Sequence, residues 1–251
     1  MSLMRRLSHA AAAATLALGA LTALAVPADA APSTTPARLS PQISSVNSAT
    51  VAGYAVAGSR ITRVSTTFNL PTVSSCQADG SNPDPLIGAD MDGYSNNVFE
   101  QAGYEYDCLG GGWRPFVMCY PTPCDWPIPP LPGPDPQDVI SITLSNVGGD
   151  NFTVSFSDLT HGWSGSTSFQ DPYAQLTSGE ALVEDATSGG NPLPLANFSP
   201  VTFRGTTVNS APLSAGSAVP IVMVTPAGQT MARPSAINGG TFSVQWLSSG
   251  P

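Results

Sequence analysis

Lysine is absent from this 251-residue chain, and histidine occurs only twice, at His9 and His161. Every permanent side-chain cation is one of eight arginines, and charged residues make up only 10% of the sequence. Without clustered cations a chain cannot neutralise phosphates or anionic headgroups, so nucleic acid and anionic membrane are excluded as partners. The scarcity of histidine narrows the chemistry as well. A Ser-His-Asp triad would have to use His161, which lies in Asp158-Leu-Thr-His-Gly162, between two strand-like runs. No Gly-x-Ser-x-Gly elbow accompanies it. One histidine without a carboxylate cluster is also a poor catalytic zinc site, and Asp-Thr/Ser-Gly, the aspartic-peptidase signature, does not occur. The chemistry left over is that of carboxylates and amides, with no metal or organic cofactor expected.

Long apolar runs are missing too, apart from one at the start. Arg5 and Arg6 precede an apolar stretch from about Ala10 to Val26, and Ala28-Asp29-Ala30 is a small-x-small cleavage site. Residues 1–30 thus read as a signal peptide, and the expected product is secreted, with no membrane attachment after cleavage. Nothing later reaches the ~20 apolar residues of a spanning helix. The processed chain carries six arginines against sixteen carboxylates, a formal charge of −10. That suits an acidic medium, where protonation leaves few cations to repel one another, and equally suits a soluble extracellular surface.

Four cysteines, Cys76, Cys108, Cys119 and Cys124, would be oxidised outside the cell. Of three possible pairings, the tight loop closed by Cys119–Cys124, with Cys76–Cys108 as the remainder, is the expected one. Residues 31–46 form a Pro/Ser/Thr-rich lead without periodicity, expected to be flexible. After it come short alternating runs broken by Gly, Pro, Asn and Asp. The expected strands are 50–57, 63–69, 86–90, 98–107, 113–120, 139–146, 151–159, 162–169, 176–185, 201–208, 218–224 and 241–247, with a hairpin turn at Gly148-Gly-Asp-Asn151. No segment has a 3.6-residue apolar stripe. About a dozen strands and no helix predict an all-β fold, one domain over 47–251. Between Pro121 and Pro136 half the residues are proline, a stiff loop bearing Trp126 that either caps a cleft or shields a sheet edge.

Two strands carry polar side chains that folding does not require. In 98–107, alternation puts Phe99, Gln101, Gly103 and Glu105 on one face, with room over Gly103 for a ligand. In 176–185, Glu180 and Glu184 share a face. Four residues at about 3.3 Å each separate them by about 13 Å. That is too far for a glycosidase pair, which needs roughly 5–5.5 or 6.5–9.5 Å. A partner for Glu180 must come from another strand.

Phe99-Glu-Gln-Ala-Gly-Tyr-Glu105 and Gly179-Glu-Ala-Leu-Val-Glu-Asp185 resemble the strands of the glutamic peptidases, the eqolisin family. There the catalytic Gln sits in Leu-Gln-x-Gly-x-Asp and the catalytic Glu in Ala-Glu-x-Ile-x-Glu-Asp. Other pieces follow in family order: Val51-Ala-Gly-Tyr54, Leu86-Ile-Gly-Ala-Asp90, Phe116-Val-Met-Cys-Tyr-Pro121 and Leu195-Ala-Asn-Phe-Ser-Pro200. The resemblance implies a sandwich of two large antiparallel sheets, concanavalin-like or jelly-roll in type. It also implies a secreted, monomeric, acid-acting endopeptidase that cleaves polypeptides with Gln101 and Glu180. Asp90 and Glu105 hold supporting acidic positions, and Phe116, Tyr120 and Trp126 are expected to wall the cleft. Leu86, Met118, Val51 and Cys119 depart from the family's Trp, Glu, Trp and Trp. These departures motivate an alternative, a catalytically impaired lectin- or adhesin-like binding module. A glycosidase using Asp90 or Glu105 opposite Glu180 is the third.

Overall fold

A computed structural model of the chain describes residues 44–76, 84–124, 128, 133–188, 191–214 and 216–250. The expected signal peptide, most of the expected lead and Trp126 lie outside the described residues. The first strands are β1 (Val46–Ser48), β2 (Val51–Ala57), β3 (Arg63–Asn69), β4 (Val73–Ser75), β5 (Leu86–Asp92), β6 (Phe99–Tyr106) and β7 (Trp113–Tyr120). A meander follows in β8 (Val139–Gly148), β9 (Asn151–Asp158) and β10 (Trp163–Gln170), then β11 (Ser178–Glu184). The remainder are β12 (Thr187–Ser188), β13 (Asn191–Pro192), β14 (Asn197–Phe198), β15 (Val201–Val208), β16 (Ala211–Pro212), β17 (Val219–Val224), β18 (Thr230–Pro234) and β19 (Phe242–Trp246). Among the described residues there is no helix.

Each of the twelve expected strands is present, with ends shifted by a few residues. β18 was not expected: Thr-Met-Ala-Arg-Pro has no clean alternation and ends in proline. Its pairing with β17 and β19 makes it a strand, so tertiary context overrides a weak local signal. β1 begins at Val46, inside the expected lead, and runs parallel to β17.

Fifteen of the strands form one sheet, in the order β10-β9-β8-β3-β15-β19-β18-β17-β2-β11-β5-β6-β7, with β1 on β17 and β16 on β15. The sheet curls until its halves face each other as a sandwich: β5 meets β3 and β8, and β11 meets β3 and β15. Inward residues of both halves make one core, including Phe68, Phe152, Phe156 and Phe203 from one half and Ile87, Met91, Tyr104 and Val183 from the other. Tyr104 meets Phe156 edge-on across it at 6.0 Å, and Phe203 stacks on its cross-strand neighbour Phe242 at 4.8 Å. Each buried Phe contributes about 1.5–3 kcal/mol of transfer free energy. Both expected disulfides are present. Cys76–Cys108 joins the segment after β4 to the turn after β6, and Cys119–Cys124 ties the end of β7 to the proline-rich segment.

Candidate functional site

In the half β2-β11-β5-β6-β7, inward alternation uses Ala181 and Val183, Ile87 and Ala89, Ala102 and Tyr104. The alternate residues face away from the core, and register sorts them into three cross-strand lines. The first runs Ala55, Glu180, Asp90, Gln101, Met118. The second runs Gly53, Leu182, Gly88, Gly103, Phe116, and the third Val51, Glu184, Leu86, Glu105, Arg114. At Gly53, Gly88 and Gly103 the middle line is bare, because those positions cannot hold a side chain. A Cβ on Gly88 would run into the Ala102 carbonyl, and one on Gly103 into the Ile87 carbonyl.

Gln101 comes to Glu184 across that bare line. The Gln101 Nε2 donates to Glu184 Oε2 at 2.6 Å, a short charge-assisted contact between β6 and β11 that crosses β5 at Gly88. The expectation was that Gln101 would face Glu180. The amide instead bonds the second glutamate of the strand, four residues on. Both side chains are long, and with glycine between them the amide is not confined to its own register line.

Glu180 has different partners. Its Oε1 accepts the Tyr94 N–H at 3.0 Å and the Ser178 hydroxyl at 2.8 Å. Asp90, on β5, lies directly beside Glu180 of β11 on one side and Gln101 of β6 on the other, so three carboxyls and one amide crowd a single patch. All of Asp90, Gln101 and Glu180 are at least 95% buried, and Asp90 Oδ1 and Gln101 Oε1 have no hydrogen-bond partner. Asp90, Glu180 and Glu184 line a cleft of about 560 Å³, together with Gly93, Tyr94 and Phe99 on one side and β1 on the other. Sequence reasoning missed the β1 wall, because three residues carry too little alternation to stand out.

Burial sets the protonation pattern. It pushes Glu180 up to about 8, against the Ser178 hydroxyl and the Tyr94 N–H, and the Glu184 and Asp92 charges add to the rise. Asp90 is raised well above the usual carboxylate range by burial and by the charges of Glu180 and Glu184, with the Gln101 amide opposing. Burial raises Glu184 as well, and the Gln101 hydrogen bond opposes it. Charge on any one of the three disfavours charge on the other two, and the Gln101 donor favours the ionised form of Glu184.

The cleft has a structural anchor that the sequence did not announce. Asp92, at the end of β5, holds a left-handed backbone with φ of 61°. Its carboxylate accepts the N–H groups of Gln175, Leu176 and Thr177, each at 2.7 Å, and the Asn96 amide at 3.0 Å. Burial alone would raise its pKa, but these donors win and the carboxyl is held below its usual range. Asp92 thereby ties the approach to β11 to the turn that aims Tyr94 at Glu180.

The remaining expected residues divide. Tyr120 is half exposed and stacks on Phe99 at 5.8 Å, forming an apolar rim beside Gln101 with Met118. Phe116 is buried opposite Gly103. Glu105 is occupied by Arg114 at 2.7 Å, at the edge and not in the cleft lining. His161 sits in the turn between β9 and β10, at the other end of the sheet order. Its Nδ1 contacts Asp158 at 3.0 Å and Asp138 at 3.2 Å. Asp135, Asp138 and His161 could offer three ligand atoms within 4.8 Å of one another. The Asp158 carboxylate also accepts the Thr160 and His161 N–H groups, so the cluster has a sufficient role in holding this turn.

Comparison with known proteins places the fold and the family. By sequence the chain matches no curated protein. By structure it is similar to scytalido-glutamic peptidase bound to a transition-state-analogue inhibitor, at 21% identity and TM-score 0.66, covering 79% of this chain and 98% of that one. It is similar, with the same coverage, to SCP-B, a member of the eqolisin family in complex with the tripeptide Ala-Ile-His, at 21% identity and TM-score 0.65. Aspergilloglutamic peptidase from Aspergillus niger follows at 20% identity and TM-score 0.56, covering 66% of this chain and 99% of that one. Residues 49–246 match the profile of the Peptidase A4 family, and the chain belongs to that family.

Proposed function

We propose that the protein is a secreted, acid-acting endopeptidase that cleaves extended polypeptides with Gln101 and Glu184. The observation that carries this is the 2.6 Å hydrogen bond from the Gln101 amide to Glu184, a carboxyl that lines the cleft. Ionised Glu184 takes a proton from a water, and the water oxygen attacks the scissile carbonyl carbon. A glutamine amide has two N–H donors. One holds Glu184; the amide also bonds Asp90, and that second donor passes to the oxyanion as the carbonyl π electrons move to oxygen. When the tetrahedral intermediate collapses, the C–N bond breaks and Glu184 returns its proton to the departing amine. Asp90 and Glu180 stay neutral on the acid side and so do not repel the oxyanion. The Phe99–Tyr120 stack and Met118 offer apolar surface to substrate side chains beside Gln101.

The test is protein hydrolysis from about pH 2 to pH 7, from below a carboxylate's reference value into the raised range of Glu184, with wild type and Glu184→Gln. Cleavage by the wild type and none by the variant is expected. Full activity in Glu184→Gln would remove this mechanism. Absence of cleavage by the wild type, with retention on glycan or protein ligands, would favour the impaired binding module suggested by Leu86 and Met118.

A further inference from the structure

Glu180 lines the cleft without touching Gln101, and the hydroxyl and amide it binds occupy only one of its oxygens. Oε1 accepts both the Tyr94 N–H and the Ser178 hydroxyl, using its two lone pairs. Among the described residues Oε2 has no hydrogen-bond partner, yet it is not sealed from solvent. It therefore opens on the cleft. Gly93 keeps the approach clear: even a Cβ there would stand 3.7 Å from Oε2, in ordinary contact. The charged groups around it are Asp90 on the neighbouring strand β5, Glu184 on its own strand and Asp92 at the end of β5. Among the described residues no arginine or histidine is paired with it.

We propose that Glu180 is a substrate-positioning acid, whose Oε2–H donates a hydrogen bond to a backbone carbonyl oxygen of the bound polypeptide. The side of the carboxyl that carries the proton follows from geometry. A proton on Oε1 would displace one of its two donors, whereas a proton on Oε2 displaces nothing and points into the space the substrate occupies. Burial holds the group neutral up to about pH 8, so the donor is in place throughout the acid range. Above that, the same oxygen becomes an anion and repels the carbonyl it had bound. The proposal rests on the peptidase reading above, with one glutamate as base and the other as binding acid, and the two are separable.

The test measures kcat and KM against pH for a quenched fluorescent octapeptide with apolar side chains, using wild type, Glu180→Ala and Glu180→Gln. A lost neutral hydrogen bond should raise KM about tenfold in Glu180→Ala, with kcat within about threefold of wild type. Glu180→Gln should restore the lower KM, because its amide offers an N–H at the same place while its oxygen still accepts Tyr94 and Ser178. The KM of the wild type should rise as Glu180 deprotonates, and that of Glu180→Gln should not. An unchanged KM in Glu180→Ala, or a Gln variant as poor in KM as the Ala variant, overturns the proposal. Loss of kcat in Glu180→Gln with intact KM also overturns it, because Glu180 would then be the base. A second readout separates this from the peptidase reading: fluorescence anisotropy of the labelled peptide at pH 4 with Glu184→Gln, with and without Glu180→Ala. Binding that weakens with Glu180→Ala, in a protein whose wild type does not cleave, keeps the donor and discards the peptidase. Absence of peptide binding discards both.

Discussion

At the scale of single residues, Gln101 is asked to do two things with one amide. Gln101→Ala removes both the restraint on Glu184 and the oxyanion donor. Loss of one such donor lowers kcat by about 10²–10³-fold, so Gln101→Ala should lose at least that much while the fold survives. Steady-state kinetics and circular dichroism on the purified variant check this. A drop of less than tenfold would mean that another group faces the oxyanion. Gln101 was legible in the sequence because a polar residue in so apolar a strand calls for explanation. Its partner was not. Glu180 and Glu184 share a face of β11, and alternation cannot choose between them. The choice depends on how far a side chain reaches across an intervening strand, and that depends on what the strand leaves empty. Asp92 was illegible for a similar reason, since its three backbone donors come from residues more than eighty positions away.

At the scale of elements, alternation and turn chemistry were enough for the long strands, from β2 to β19, because one face of each is buried. β18 and β1 escaped because their pairing is imposed by neighbours. The bare line across β2, β5 and β6 is the element-level feature on which the site depends. Gly88→Ala inserts a methyl that meets the Ala102 carbonyl and the Gly103 Cα, neither of which is a flexible side-chain end. It also stands under the diagonal from Gln101 to Glu184. Overpacking of this kind costs about 1–3 kcal/mol. Gly88→Ala should therefore lower the denaturation midpoint and the activity together. Ala in place of Ser164, on the exposed surface of β10, should do neither. Wild-type stability and activity in Gly88→Ala would show that β5 yields where it appears rigid.

At the scale of the whole molecule, the chain buries acids on both sides of one sheet. Opposite the cleft, Glu100 turns into the core beside Asp171, which is also buried, and a proton on Glu100 is what allows the two carboxyls to hydrogen-bond. Burial, then the charges of Asp92 and Asp171, push Glu100 up to about 9. Asp185 rises to about 8 by burial and the Glu184 charge. With Glu180, three carboxyls thus hold protons in the folded state that the unfolded chain releases near pH 4. Their stabilisation is complete below about pH 4 and is lost as pH rises toward 8–9, at about 1.4 kcal/mol per pH unit for each proton held only by the native state. Asp92 and Asp158, held low by their hydrogen bonds, act in the opposite sense and lose their contribution as pH falls below the usual carboxylate range. The melting temperature should accordingly be higher at pH 4 than at pH 8. Glu100→Gln separates this effect from the cleft: the amide matches the protonated acid in shape, cannot ionise, and can donate to Asp171. Its melting temperature should match wild type at pH 4 and exceed it at pH 8. Calorimetric scans of both proteins across that range decide the point, and melting curves that stay parallel at all pH values would show that Glu100 is not a source of the acid preference.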